Sequence, residues 1–125
     1  MIHHTDGLDS PEDLKALIVS SLDADKALDI ETIDLRGQTA LADYMIVASG
    51  TSTRHIAALA EKINERLKAR GFNHIHTEGL DNSDWVVLDA GDVIVHIFRP
   101  EVRSYYNIEK MWRVHEHPSI ELVHA

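Results

Sequence analysis

Two groups of residues in this chain are of types that can do chemistry. The first is Ser49-Gly50-Thr51-Ser52-Thr53-Arg54, which joins an apolar run to a helix-like stretch. Unpaired backbone N–H groups at a helix N-terminus attract phosphate, so the turn is a candidate anion cradle. Group transfer from a bound phosphate would need a second part, acidic side chains converging from a strand to hold a pair of metal ions. The acids of this chain do not supply it. Asp81 and Asp84 fall in a loop-like stretch, Asp89 and Asp92 flank a turn, and Asp34 has no acidic neighbour two positions away. Ser49 to Thr53 therefore reads as turn and capping chemistry.

The second group is histidine. His74 and His76 would share one face of a strand, and His115 and His117 one face of an extended tail. Zinc needs three or four ligands arranged around the ion, and two separated pairs supply them only if the tail folds back. Solvated histidines, with no metal site, are the reading. His96 lies inside an apolar run and is expected to be a hydrogen-bonded core or interface residue. His55, near the start of a helix, is placed to hold the Gly50 turn. No cysteine is present, which removes thiolate nucleophiles, disulfides and cysteine-based zinc sites. A Ser-His-Asp triad is a spatial arrangement and cannot be assembled from spacing.

The elements that position these residues follow from pattern. Ser10-Pro11-Glu12-Asp13 is a helix start, with Ser10 as N-cap and Asp13 at the capping-box position. Leu14, Leu17, Ile18 and Leu22 continue it as an apolar stripe. DIETIDLRG alternates Ile33 and Leu35 against Glu31 and Asp34 and ends at Gly37, a strand with one wet side. Met45 to Ala48 is a buried strand. Ile56, Leu59, Ala60, Ile63 and Leu67 mark the inner face of a second helix that Gly71 stops. His74 to Thr77 is a candidate edge strand. WVVLDA and DVIVHIFR form a hairpin about Ala90-Gly91. VRSYYNIEKMW gives a third helix with Tyr105, Ile108 and Trp112 on one face.

The order is α-β-β-α-β-β-β-α. It predicts one α/β domain over residues 10–112, a mixed sheet of about five strands flanked by three helices. Residues 1–9 read as an extension and 113–125 as a polar, His-bearing tail. The helices are expected to cover one sheet face and its edges. Yet Trp85 and Val87 oppose Val86 and Leu88, while Val93, Val95 and Ile97 oppose Ile94 and Phe98, so both sheet faces are apolar. Apolar surface left over is expected to meet a partner, the tail or a second copy of the chain, as a homodimer.

Length and charge bound the function. A chain of 125 residues fits one domain, and 44% hydrophobic residues are enough for a core. No apolar stretch approaches the roughly 20 residues that span a bilayer, and MIHHTDGLDS has neither a basic, apolar-cored leader nor an Arg-rich amphipathic pattern. A cytoplasmic protein is the expectation. Twelve Lys and Arg against 21 Asp and Glu give a net charge of −9, which repels nucleic-acid backbones and acidic membranes. Such a surface suits a basic protein partner; it also simply keeps a protein soluble.

Three segments carry a resemblance. DYMIVASGTSTRHIAALAEKI, TEGLDNSDWVVLDAGDVIVHIF and RSYYNIEKMW resemble, in that order, the RsfS/Iojap ribosome silencing factors, a similarity covering roughly residues 12 to 112. The resemblance implies a fold with nucleotidyltransferase-like topology and no chemistry. It implies binding to the large (50S) ribosomal subunit through a basic ribosomal protein at the intersubunit face. Subunit joining is then blocked, and translation falls when nutrients run low. Matched position by position, it implies a partner surface centred on Trp85, running through Leu88, Asp89, Ala90 and Asp92, with Glu78 and Asp84 beside it. Three of them have plainer alternatives: Trp85 as core, and Asp89 and Asp92 as turn residues. The family often carries a bulkier apolar residue where this chain has Ala90, which shifts weight to Trp85 and Leu88. No cofactor is implied. The competing reading, from SGTSTR, is a nucleotidyltransferase-like nucleotide-binding protein with a degenerate site.

Overall fold

Ser10 caps the first helix, its hydroxyl accepting the Asp13 N–H at 3.1 Å, and α1 runs Pro11–Ala24. In this computed structural model, residue 8, residues 10–81 and residues 84–116 are described, with side chains in the last helix as far as Trp112. β1 (Leu28–Asp34) and β2 (Tyr44–Ser49) follow, then α2 (Thr53–Ala69), β3 (His76–Glu78), β4 (Trp85–Asp89) and β5 (Val93–Phe98). The chain ends in α3 (Pro100–Tyr106) and α4 (Ile108–Glu116).

The strands form one mixed sheet in the order β1-β2-β5-β4-β3. β2 and β5 run parallel at its centre and every other pair is antiparallel. All six residues of β2 are buried, as expected of a strand covered on both faces. The β4–β5 hairpin turns at Gly91, whose φ of +84° suits glycine, and the Ala90 N–H donates to the Val93 carbonyl.

Alternation along each strand divides the core in two. On one face Tyr44, Ile46, Ala48, Val86, Leu88, Val93, Val95 and Ile97 pack against Leu14, Ile18 and Leu22 of α1 and Ile56, Leu59, Ile63 and Leu67 of α2. Arg66 ties these helices together, donating to the Ser21 carbonyl and hydroxyl and to Asp25 Oδ2. On the other face Ile33, Leu35, Ala42, Met45, Val47 and Phe98 make a smaller cluster, joined by Val102, Ile108 and Trp112. The helices thus divide between the two faces instead of sharing one, because the C-terminal helical segment folds back over β1, β2 and β5.

That segment is also not one continuous helix. Asn107 adopts the left-handed conformation (φ 49°) and separates α3 from α4. The break resets the helical phase: Ile108 and Trp112 face the core, whereas Tyr105, expected beside them, is 82% exposed. Beneath the break, Arg103 is buried and donates to Ser49 Oγ at 2.9 Å and to Glu109 Oε2 at 3.0 Å, joining α3, α4 and β2. α4 carries the helical backbone to Glu116, into the stretch read as a tail; the side chains of His115 and His117 lie outside the described residues.

Candidate interaction surface

The second sheet face is only half covered. α4 lies over β1 and α3 over β5, and toward β3 the half-buried side chains of Trp85, Val87, Ile94 and His96 form an apolar strip. Trp85 is its centre. Register places Trp85 opposite Phe98, and the two rings stack at 4.8 Å between centroids. Tyr106 of α3, 51% exposed, packs on Trp85 at 4.7 Å, with Tyr105 edge-on behind it. A groove lined by Gly79, Asp84, Trp85, Val102, Tyr105 and Tyr106 opens there.

The indole N–H of Trp85 donates to Nδ1 of His96 at 3.0 Å. Burial pushes the His96 pKa down to about 4, against a small opposing pull from Glu109, so the ring is neutral near pH 7 and its Nδ1 is free to accept. Trp85 therefore has its one polar atom satisfied from within the chain. Gly79 sets the approach of this strand: its φ is +93°, and a Cβ there would sit 2.2 Å from the Trp85 carbonyl oxygen.

The acids ring the strip. Glu78 is exposed on β3, opposite Val87, and holds His76 Nε2 at 2.6 Å. Asp84 precedes Trp85 and faces Arg99 at 3.4 Å, while the Arg99 N–H donates to its carbonyl. Asp89 is exposed and accepts the Gly91 N–H at 2.9 Å, so it does shape the turn. Asp92 is exposed, and its carbonyl accepts from the Asp43 and Tyr44 N–H groups.

Two expected contact residues are not on this surface. Leu88 is 1% and Ala90 3% exposed, and both pack into the α1–α2 core on the opposite face from Trp85. The reason is strand alternation: positions 88 and 90 have the parity of Val86, not of Trp85. Neither can touch a partner in the folded chain. Conversely, Ile94 and Tyr106 belong to the surface although no sequence pattern pointed to them, and His96 is the hydrogen-bonded residue that its place in an apolar run suggested; the β4–β5 register and the α3 packing bring them together.

The SGTSTR turn is occupied by its own hydrogen bonds. Ser49 Oγ accepts from Arg103, Ser52 Oγ accepts the His55 N–H, and His55 Nδ1 accepts the Thr51 N–H at 2.9 Å. His55 Nε2 meets the Asp25 carbonyl at 2.9 Å, so this histidine pins the turn to the end of α1, as its position suggested. Gly50 is required for close approach, since a Cβ would fall 2.6 Å from Ile56 Cγ1. Among the described residues no three His, Asp or Glu side chains cluster as metal ligands, and no helix is long and apolar enough to cross a membrane.

Comparison with known proteins agrees with this architecture. Residues 8–125 match the family model described as ribosomal silencing factor during starvation. A ribosomal silencing factor RsfS of Zymomonas mobilis is 54% identical over 102 residues, 82% of this chain and 77% of that one. The crystal structure of a Chromobacterium violaceum protein superposes with a TM-score of 0.80 at 39% identity, covering 82% of this chain and 86% of the other. The mouse protein named mitochondrial assembly of ribosomal large subunit protein 1 is 36% identical over 99 residues, 77% of this chain and 43% of its own length. The chain belongs to the ribosomal silencing factor RsfS family.

Proposed function

We propose that this protein silences translation by docking the Trp85 strip onto a basic protein of the large ribosomal subunit at the intersubunit face, where its bulk blocks subunit joining. The family supports the silencing role, and the mouse relative, mitochondrial assembly of ribosomal large subunit protein 1, points to the large subunit by its name. The observation that carries the docking surface is the Trp85–His96 pair. Burying an indole N–H with no acceptor costs roughly 1–3 kcal/mol. Here the acceptor is already supplied, so a partner can cover the ring with apolar atoms alone. Glu78, Asp84, Asp89 and Asp92 surround it, and a net charge of −9 speeds encounter with a basic surface and sets its orientation. Nothing in this mechanism needs a cofactor or a covalent step, and it operates in the cytoplasm. Asp89 acts in both senses, holding the turn with one oxygen and facing the partner with the other.

The test is co-sedimentation with separated ribosomal subunits at low and moderate salt. Stoichiometric pelleting with the large subunit is expected for the wild-type protein. Trp85→Ala should weaken it by about 2 kcal/mol, roughly thirtyfold, while circular dichroism stays native. Undiminished pelleting of folded Trp85→Ala would refute the anchor; no pelleting of the wild type would refute the reading itself.

A further inference from the structure

The sheet has one long open border. β1 is its outer strand at that end, seven residues long, with no strand beyond it among the described residues. The Leu35 N–H donates to the Asp43 carbonyl, so the odd-numbered residues bond to β2 and Thr32 turns its N–H and carbonyl outward. The outward carbonyl of Asp34 is taken by Gln38 Nε2 at 2.8 Å, which closes the far end of the border. Beside it a groove of about 680 Å³ runs between β1 and α1, lined by Lys15, Ala16, Val19, Asp23, Ile30 and Thr32. Val19 and Ile30 rest on the core beneath and are only half-buried themselves. We propose that residues 119–125 of this chain add to β1 as a sixth strand, with Ile120 and Leu122 seated in the groove.

Position and sequence select this occupant. The described chain leaves at Glu116 from α4, the helix that packs over β1. His117 and Pro118 follow, and proline does not continue a helix but is tolerated at the start of an edge strand. Then comes Ser119-Ile120-Glu121-Leu122-Val123-His124-Ala125, as long as β1 itself. Its aliphatic Ile120 and Leu122 have the two-residue spacing that puts both on one side of a strand. A second copy of β1 fits less well, because antiparallel pairing would set Asp29, Glu31 and Asp34 against the same acids, between molecules that each carry a net charge of −9. A segment tethered to α4 also meets the border at an effective concentration of about millimolar, without the cost of bringing two molecules together.

This border lies at the opposite end of the sheet from β3, away from the Trp85 strip. The proposal therefore stands apart from the ribosome-facing reading, and its test succeeds or fails separately.

The experiment is amide hydrogen exchange followed by NMR on the full chain, wild type beside Ile120→Asp with Leu122→Asp. In the wild type the Thr32 amide is expected to exchange at least about tenfold more slowly than an open amide, the mark of a hydrogen bond that the described residues do not supply. The double variant should restore fast exchange at Thr32 and shift the resonances of Val19 and Ile30. Ile33, bonded to β2, should keep its protection in both proteins. Raising the protein concentration should leave the wild-type rate unchanged. Fast exchange at Thr32 in the wild type, or slow exchange untouched by the substitutions, would overturn the assignment. Protection that grows with protein concentration would overturn it too, in favour of pairing between copies.

Discussion

Acidification should loosen Trp85 before it unfolds anything else, through His96. The folded chain holds this imidazole at a pKa of about 4 against an ordinary 6.5, chiefly because burial penalises the charged ring. Folding thus favours the neutral form, and the sign follows. Stability from this residue is complete above about pH 6.5 and drains away as pH falls toward 4. The full displacement is worth about 3 kcal/mol, of which about 2 kcal/mol is gone by about pH 5. Locally the effect is sharper, because a protonated Nδ1 turns from acceptor to donor and faces the indole N–H that it had been receiving. The assay pairs a histidine NMR titration with urea unfolding at about pH 7 and about pH 5, on the wild type and on His96→Gln. Glutamine keeps a hydrogen-bond acceptor near the indole but does not titrate. The wild type should lose about 2 kcal/mol more than His96→Gln between the two conditions, with Trp85 fluorescence changing over the same window. Equal losses in both proteins, or a His96 titration near 6.5, would refute the reasoning.

Other perturbations separate core from surface. Gly79→Ala should cost about 2 kcal/mol or more in urea melts, because a positive φ and a backbone clash with Trp85 cannot both be relieved in place; large-subunit binding should fall with it. Leu88→Ala should cost about 2–5 kcal/mol of stability and yet bind normally wherever it remains folded, as read by calorimetry and co-sedimentation. Glu78→Lys with Asp89→Lys should cost about 1 kcal/mol of stability, because the Asp89 bond to the Gly91 N–H is lost. In stopped-flow measurements the pair should slow association and flatten its salt dependence, with dissociation little changed.

Much of the architecture was legible because it rests on local rules. Ser10 and Ser52 announce their helices by capping, Gly71 stops α2, and the β4–β5 turn follows from Gly91. The α3–α4 break was not legible, since Asn107 enters the left-handed region under tertiary constraint within a sequence that reads as continuous helix. Tyr105 then lost its expected neighbours. At the site, alternation already separated Trp85 from Leu88, but a surface carried over along the chain ignores which way each residue points. The partnership of Trp85 with His96 lay beyond sequence reasoning for another reason: it depends on pairing Trp85 with Phe98, and register is a long-range property.

The edge beside this strip has a consequence of its own. β3 is three residues long, and both of its ends are chargeable, His76 and Glu78 bound to each other. So short a border offers an incoming strand little ladder to extend, and its polar side chains resist being zipped into one. The sheet is finished on that side. On the proposed reading a partner lands broadside on the tryptophan, because this border gives it little to stitch onto as a sixth strand.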